Sequence, residues 1–276
     1  MAEIQLIVTD LDGSFLANRT DICEENIAVI AEAQRRGIKV CGCTARNWST
    51  SKRIAERAGM KDLFVVCDGA TTLDVTTGEV LERRNIDPQY IEPMTMLLLK
   101  YSDKVHYKGF LETIGTHEHI NEWNRDVCMD DGTIYDPLAS QHGYLVDTVE
   151  EMIALGKMHA QIAMALLDDT KNNQLYYDLC GIGDFEFSAA GRMGVQITAK
   201  NVTKGNAVEK LAKHYGIKQE NVMAIGDNRN DRSMVMWAGI GVAVENGDES
   251  LKNVADYIAK PCYQAGFADA VEKFAL

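Results

Sequence analysis

Ile4-Gln5-Leu6-Ile7-Val8-Thr9-Asp10-Leu11-Asp12-Gly13-Ser14 opens the chain with a short apolar run that stops at two carboxylates. The apolar part has the length and the flanking residues of a buried strand. Strand residues at i and i+2 point the same way, so Asp10 and Asp12 can serve one site at the strand's carboxyl end. Gly13 lets the chain turn sharply just beyond them. Asp and Gly after a strand are also ordinary turn chemistry, so the stretch acquires meaning only from what answers it elsewhere.

Three segments answer it. Val222-Met223-Ala224-Ile225 is a second apolar run, followed by Gly226-Asp227-Asn228-Arg229-Asn230-Asp231, so a second strand ends in carboxylates. Thr203-Lys204-Gly205 opens a segment with Ala207, Val208, Leu211, Ala212 and Tyr215 at helical spacing, closed by Gly216. Residues 38–43 form another apolar run with polar interruptions, ending in Thr44-Ala45-Arg46. Lys204 at a helix start is locally unfavourable against the helix dipole, which points to an anionic partner.

Taken in order, residues 10–14, Thr44-Ala45-Arg46, Lys204 and residues 226–231 resemble the four motifs of the haloacid dehalogenase (HAD) superfamily phosphatases. The match is specifically to the Cof-like group with a large α/β cap. Residues 241–247 also resemble that group's last core strand and loop. Three positions depart from the group's pattern. Ser14 stands where threonine is usual, Ala45 where glycine is usual, and Asp68 where asparagine commonly opens an Asn-Gly-Ala loop. Alanine tolerates positive φ poorly, so the departure at Ala45 bears on how a backbone donor sits there.

Asp10, Asp12, Asp227 and Asp231 would repel a phosphate ester if they converge, and Lys204 supplies a single cation against them. At ~4 Å and an effective dielectric of 20, each like-charge pair costs on the order of 4 kcal/mol, so a hard divalent cation is the natural remedy. Mg²⁺ suits an all-oxygen site and keeps several waters. The resemblance implies the individual roles. Asp10 would be the nucleophile, forming an aspartyl-phosphate while also ligating Mg²⁺. Asp12 would be the general acid and base, its backbone carbonyl joining Asp10 and Asp227 at the metal. Thr44, the Ala45 amide, Lys204 and Asn230 would hold the phosphoryl group. Asp231 would orient Lys204 or metal-bound water, with Ser14 and Arg46 as supporting residues. Arg46 could equally contact phosphate or form an ion pair of the scaffold, and Asn228 and Arg229 read as loop residues.

Strand and helix alternate over residues 4–9, 24–36, 38–43, 48–58 and 63–67, and again from about residue 190, which predicts a doubly wound parallel sheet in an α/β core. Only about 30 residues separate the first two motifs, whereas roughly 150 separate Arg46 from Lys204. A second, α/β cap domain is therefore expected over residues 86–188, inserted into a core of residues 1–85 and 189–276, with hinges near Asn85 and Ala190. Within the insertion the pattern predicts helices over 90–101 and 149–155 and strands over 108–114 and 161–167. It reads as a lid that sets specificity. His117-Glu118-His119 lacks a third identifiable ligand and reads as loop, and Trp123 and Tyr144 are candidate contacts for a sugar or ring.

Composition fits a globular enzyme: 276 residues, 46% hydrophobic and 25% charged. No apolar run approaches ~18 residues and the chain begins directly with a strand, so neither a membrane span nor a signal peptide is expected and the location predicted is cytoplasmic. The seven cysteines contain no C-x-x-C pair and fit reduced thiols, Cys41 and Cys43 sharing one face of a strand as packing residues. A net charge of −13 argues against nucleic acid and anionic membrane as partners, but not against a small phosphorylated metabolite. The expected activity is Mg²⁺-dependent phosphomonoester hydrolysis of a sugar phosphate or phosphorylated cofactor. A phosphomutase of the phosphomannomutase type and a catalytically weak metabolite-binding protein are the alternatives. A dehalogenase is disfavoured because it would leave Asp12 without a task.

Overall fold

The computed structural model describes residues 3–102, 104–116, 143–167, 172–190 and 194–276. The chain divides into two compact units. One comprises Met1–Arg46, Ser51–Arg83 and Thr203–Leu276, the other Asn47–Thr50 and Arg84–Val202.

The first unit begins with β1 (Leu6–Thr9), α1 (Glu24–Arg35), β2 (Lys39–Gly42), α2 (Trp48–Ala58, whose first turn belongs to the second unit), β3 (Leu63–Val66), β4 (Thr71–Asp74) and β5 (Val80–Arg83). α1 buries Val29, Ile30 and Ala33, an i, i+1, i+4 stripe. The chain leaves this helix through Gly37 at φ +85°, a left-handed conformation that suits glycine.

The second unit holds α3 (Pro88–Tyr101), β6 (Val105–Lys108), β7 (Thr113–Thr116), β8 (Gly143–Val146), α4 (Val149–His159), β9 (Ile162–Leu166), α5 (Asn172–Ile182), β10 (Phe185–Ala190) and β11 (Gly194–Ala199). Its six strands lie in the order β10-β11-β9-β6-β7-β8. α3 is started by the Asp87 side chain, which accepts from Gln89 N, and by Pro88 in its first turn; α4 is started by a Thr148/Glu151 capping box. The apolar core of this unit joins Ile91, Met94 and Leu98 of α3 to Val105 and Tyr107 of β6, Ala163 and Ala165 of β9, and Val195 and Ile197 of β11.

The chain returns to the first unit with α6 (Lys204–Tyr215), β12 (Val222–Gly226), α7 (Arg232–Trp237), β13 (Ile240–Val244), α8 (Glu249–Lys252), β14 (Tyr257–Ala259) and α9 (Gly266–Phe274). Five strands make a wholly parallel sheet in the order β14-β13-β12-β1-β2. Leu6 and Val8 of β1 pack with Ala207, Val208 and Leu211 of α6 and Met234 and Val235 of α7. Each such Leu or Val, buried from water, contributes about 1.5–3 kcal/mol. α1 packs on β2 and on α9. From β1 the connections run one way to β2, and from β12 the other way to β13 and β14. The order therefore reverses between β1 and β12, the crevice where α/β sheets place their ligands.

Four expectations need correction. Residues 108–114 are not one strand: the chain turns after β6, Gly109 N donating to the Glu112 carbonyl at 2.8 Å, before β7 returns antiparallel. A Cβ at position 109 would crowd both the Glu112 carboxylate and the His159 backbone carbonyl, so this tight turn favours glycine. The strand over 63–67 joins β4 and β5 in a separate antiparallel sheet, linked to β2 by the single bridge between Cys43 and Val65. The helix beginning at Val149 runs on to His159. Ala190, expected at a hinge, closes β10, and pairing of β10 with β11 and of β11 with β9 keeps the chain in the second unit as far as Val202. Residues His117, Glu118, His119 and Trp123 lie outside the described residues. Tyr144, on β8, is half exposed with its ring stacked on His159 at 6.0 Å. Among the described residues, no helix is long and apolar enough to cross a membrane.

Candidate active site

β2, β1 and β12 are neighbours in the parallel sheet, and each ends in a residue singled out by the sequence: Thr44, Asp10 and Asp227 respectively. The ladder continues into the site, Asp10 N donating to the Ile225 carbonyl at 2.9 Å and Cys43 N to the Thr9 carbonyl at 2.8 Å. Asp10 and Thr44 are buried at their strand ends. Gly13, at φ +82°, follows at the turn, and a Cβ there would overlap the Asp227 carboxylate. Only glycine lets the loop after β1 come this close to the loop after β12.

Lys204 is the hub. It opens α6, capped by Thr203, whose side chain accepts from Asn206 N at 3.2 Å. Its side chain is fully buried, and Nζ donates to Asp10 Oδ1 and to Asp231 Oδ1, both at 2.6 Å. Asp231 Oδ2 accepts from the backbone N–H groups of Asp227 and Asn228, both at 3.0 Å. One carboxylate therefore fixes the lysine on one side and the loop after β12 on the other. Gly226 is small enough for the Asp231 side chain to lie against it.

Carboxylate oxygens of Asp10, Asp227 and Asp231 all lie within 4.8 Å of one another. Ser14 Oγ donates to Asp227 Oδ1 at 3.0 Å. The remaining oxygens, Oδ2 of Asp10 and Oδ2 of Asp227, take no hydrogen bond among the described residues. Burial holds the Asp10 carboxyl well above the usual carboxylate range, Lys204 pulling it down and the charges of Asp231, Asp227 and Asp12 pushing it up further. Burial, and next the charge of Asp231, push Asp227 up to about 7. Burial acts to lower the Lys204 pKa, but Asp10 and Asp231 outweigh it and keep the ammonium charged. Lys204 is one cation against the three clustered carboxylates. An all-oxygen set of this kind fits a hard divalent cation, with Asp10 and Asp227 able to hold it. The oxygens of Asp231 are both engaged, which suits an orienting residue better than a ligand.

Asp12 is placed differently. Its carboxylate is gripped by the Arg46 guanidinium in a bidentate pair, Nε to Oδ2 at 2.6 Å and Nη2 to Oδ1 at 2.5 Å, and Nη2 also donates to the Arg19 carbonyl at 2.7 Å. The structure thus assigns Arg46 an ion pair with Asp12. Thr44 Oγ1 accepts from Arg46 N at 3.1 Å, and the Arg46 carbonyl accepts from Cys67 N at 2.8 Å, so the second motif is tied to the loop after β3. Ala45 does not adopt positive φ, so its replacement of glycine imposes no backbone strain. Strain lies instead at Cys67 and Asp68, at φ +52° and +56°. Conformations of this kind in non-glycine residues cost of order 1–3 kcal/mol each and concentrate at functional sites.

Two residues that the sequence reading left without a role join the site. Asp68, buried, accepts from Asn230 Nδ2 at 3.0 Å and so fixes the expected phosphate contact. Asn246, in the loop after β13, donates Nδ2 to the Gly13 carbonyl at 2.8 Å and accepts from Cys262 N at 2.7 Å. Residues 241–247 resemble the group's last core strand and loop, but the Asn-Gly pair itself reads equally as a plain turn, which gives Asn246 no role from sequence.

This geometry agrees with comparisons to known proteins. A profile of the haloacid dehalogenase-like hydrolases matches residues 7–271. The 5-amino-6-(5-phospho-D-ribitylamino)uracil phosphatase YcsE of Bacillus subtilis is 25% identical over 282 residues, covering 99% of this chain and 97% of the relative. The phosphatase YwpJ of the same organism is 26% identical over 273 residues, covering 92% and 94%. Among solved structures, a haloacid dehalogenase-like hydrolase from B. subtilis superposes with a TM-score of 0.81 at 22% identity, covering 99% of this chain and 100% of that one. A HAD subclass IIB sugar phosphatase superposes with a TM-score of 0.80 at 20% identity, covering 98% of each chain. With the profile spanning almost the whole length and the carboxylates gathered at the switch point of the parallel sheet, the chain belongs to the haloacid dehalogenase-like hydrolase family.

Proposed function

We propose that this phosphatase is a Mg²⁺-dependent phosphomonoester hydrolase that works through an aspartyl-phosphate on Asp10. Its substrates are small soluble sugar phosphates or phosphorylated cofactor precursors. The observation that carries the reading is the convergence of Asp10 and Asp227 from adjacent parallel strands around buried Lys204. The substrate class is supported by a relative named for a ribityl phosphate and a structural neighbour named a sugar phosphatase.

Asp10 and Asp227 would hold the cation, with the Asp12 backbone carbonyl, and the ion would supply charge neutralisation that lets a phosphate dianion approach. A carboxylate oxygen of Asp10 attacks phosphorus in line, forming the Asp10 O–P bond as the P–O bond to the leaving group breaks. Lys204 neutralises charge on the phosphoryl oxygens, while the Thr44 hydroxyl, the Ala45 amide and the Asn230 side chain orient them. The Asp12 carboxyl gives its proton to the leaving alkoxide and later takes one from the water that hydrolyses the aspartyl-phosphate. To do so it must first part from the Arg46 guanidinium and take up a proton from solvent, so Arg46 is a holding partner for the ionised Asp12 between turnovers.

Inorganic phosphate release from a panel of sugar phosphates, ribityl phosphates, nucleotides, pyridoxal phosphate and flavin mononucleotide tests the reading, with Mg²⁺ and with chelator. Chelator-sensitive release is expected. Release that survives chelation would remove the cation from the mechanism, and phosphoryl transfer between sugar hydroxyls without free phosphate would replace hydrolase by mutase.

A further inference from the structure

Six cysteines lie among the described residues, all as free thiols. Cys41, Cys43 and Cys67 are fully buried in and beside the core strands, and Cys180 is exposed on α5. Cys23 and Cys262 differ from these in meeting across 239 positions of sequence: Cys23 Sγ lies 3.5 Å from the Cys262 carbonyl oxygen, and Cys262 Sγ lies 4.0 Å from the Ala17 carbonyl oxygen. A carbonyl oxygen stands about 2.4 Å from its own Cα, so the Cys23 sulfur is within about 6 Å of the Cys262 Cα. Cys23 is half-buried immediately before α1 and is the more exposed of the two. Cys262 is 5% exposed and begins a short turn that ends at Ala265, a non-glycine residue at φ +57°.

That turn is wired to the active site. Cys262 N holds Asn246 Oδ1, and Asn246 Nδ2 holds the Gly13 carbonyl, at the point where Gly13 lies against the Asp227 carboxylate. A disulfide requires the two Cα atoms within about 4.4–6.8 Å and a fixed S–S torsion, and both sulfurs now face carbonyl oxygens, so closing it turns both side chains and loads the turn that carries Cys262 N.

We propose that Cys23 and Cys262 form an oxidisable pair that a peroxide closes to a disulfide, and that closure acts on the Gly13 loop through Asn246. The Cys23 thiolate attacks one oxygen of hydrogen peroxide. An S–O bond forms, the O–O bond breaks, and the departing hydroxide takes a proton to become water. The Cys262 sulfur, after giving up its proton, then attacks the Cys23 sulfenic acid. The S–S bond forms, the S–O bond breaks, and hydroxide again leaves as water. Two thiols are oxidised by two electrons and the peroxide is reduced to two waters. The order follows from access, because Cys23 is half-buried and Cys262 is buried.

Peptide mapping of the full chain under non-reducing conditions, after a brief peroxide pulse and alkylation, is the direct test. The expected product is one peptide pair linking Cys23 to Cys262 and lighter by two hydrogens, reversed by dithiothreitol. Amide exchange at residues 13–17 should change on linking, and phosphate release should fall by at least about fivefold. Cys23→Ser should abolish the linked pair and the peroxide response while leaving basal turnover intact. Absence of the linked pair, or an equal response in Cys23→Ser, overturns the proposal. A linked pair with unchanged exchange at residues 13–17 overturns the coupling to the loop. Mapping and exchange need no turnover, so they stand apart from the phosphatase reading.

Discussion

Lys204 is the side chain whose removal separates electrostatics from chemistry most cleanly. It is the only cation hydrogen-bonded to Asp10 and Asp231 among the described residues, and both carboxylates are buried with it. Lys204→Met keeps the apolar stem and deletes the charge, leaving two buried carboxylates without their shared counter-ion. Removing one partner of a buried pair costs about 3–5 kcal/mol, so urea unfolding at neutral pH should show a loss of that size. A loss under about 1 kcal/mol would mean that water already reaches the pair. Asp10→Asn makes the opposite test. It removes the nucleophile but one buried charge as well, and the second partner of Lys204, Asp231, remains. Turnover should fall by at least about 10⁴-fold with little change in melting temperature. Phosphate release within tenfold of the parent would exclude Asp10 as the nucleophile.

Elements matter here through their ends. The loop after β12 is shaped by Asp231, whose Oδ2 takes the N–H groups of Asp227 and Asn228 while Oδ1 takes Lys204. Asp231→Asn puts a donor where one of these donors points. Metal affinity should weaken by about 10–100-fold, as for other residues that orient ligands, and calorimetric titration with Mg²⁺ would measure it. Unchanged affinity would show that the loop holds its form without this carboxylate. What could be read from the sequence follows the same division. β1 and β12 were legible because each is a short apolar run that stops at carboxylates, and α6 because its buried stripe ends at Gly216, φ +67°. The Asp12–Arg46 pair joins residues 34 positions apart, and no local pattern encodes which partner a guanidinium chooses. The 108–114 segment was misread because Phe110, Leu111 and Ile114 make an apolar-rich stretch of strand length, while the decisive feature is the turn at Gly109, whose N–H donates to the Glu112 carbonyl. Hairpin β4–β5 escaped notice for a related reason: β5 is largely exposed and lacks an apolar face to advertise it.

For the whole molecule, the clustered carboxylates tie stability to pH in a direction opposite to that of a carboxylate held by salt bridges. Asp10 and Asp227 both carry raised pKa values in the metal-free fold, Asp227 up to about 7, against an ordinary value of 3.8. Between these limits the folded chain keeps protons that the unfolded chain has released. Stability therefore falls as pH rises above the ordinary carboxylate range, and the part that Asp227 contributes is gone above about pH 7. The net charge of −13 adds self-repulsion in the same direction. A divalent cation reverses the trend locally, because binding displaces those protons and becomes easier as they leave. Melting curves at pH values from about 5 to about 8, with chelator and with saturating Mg²⁺, should therefore diverge. The metal-free melting temperature should decline with pH, while the increment from Mg²⁺ grows over the same interval and levels off near the pKa of Asp227. Asp227→Asn should flatten both curves, since it removes the group that titrates near neutrality and a ligand together. An increment independent of pH in the parent chain would place the ion away from Asp10 and Asp227, and the proposed metal site with it.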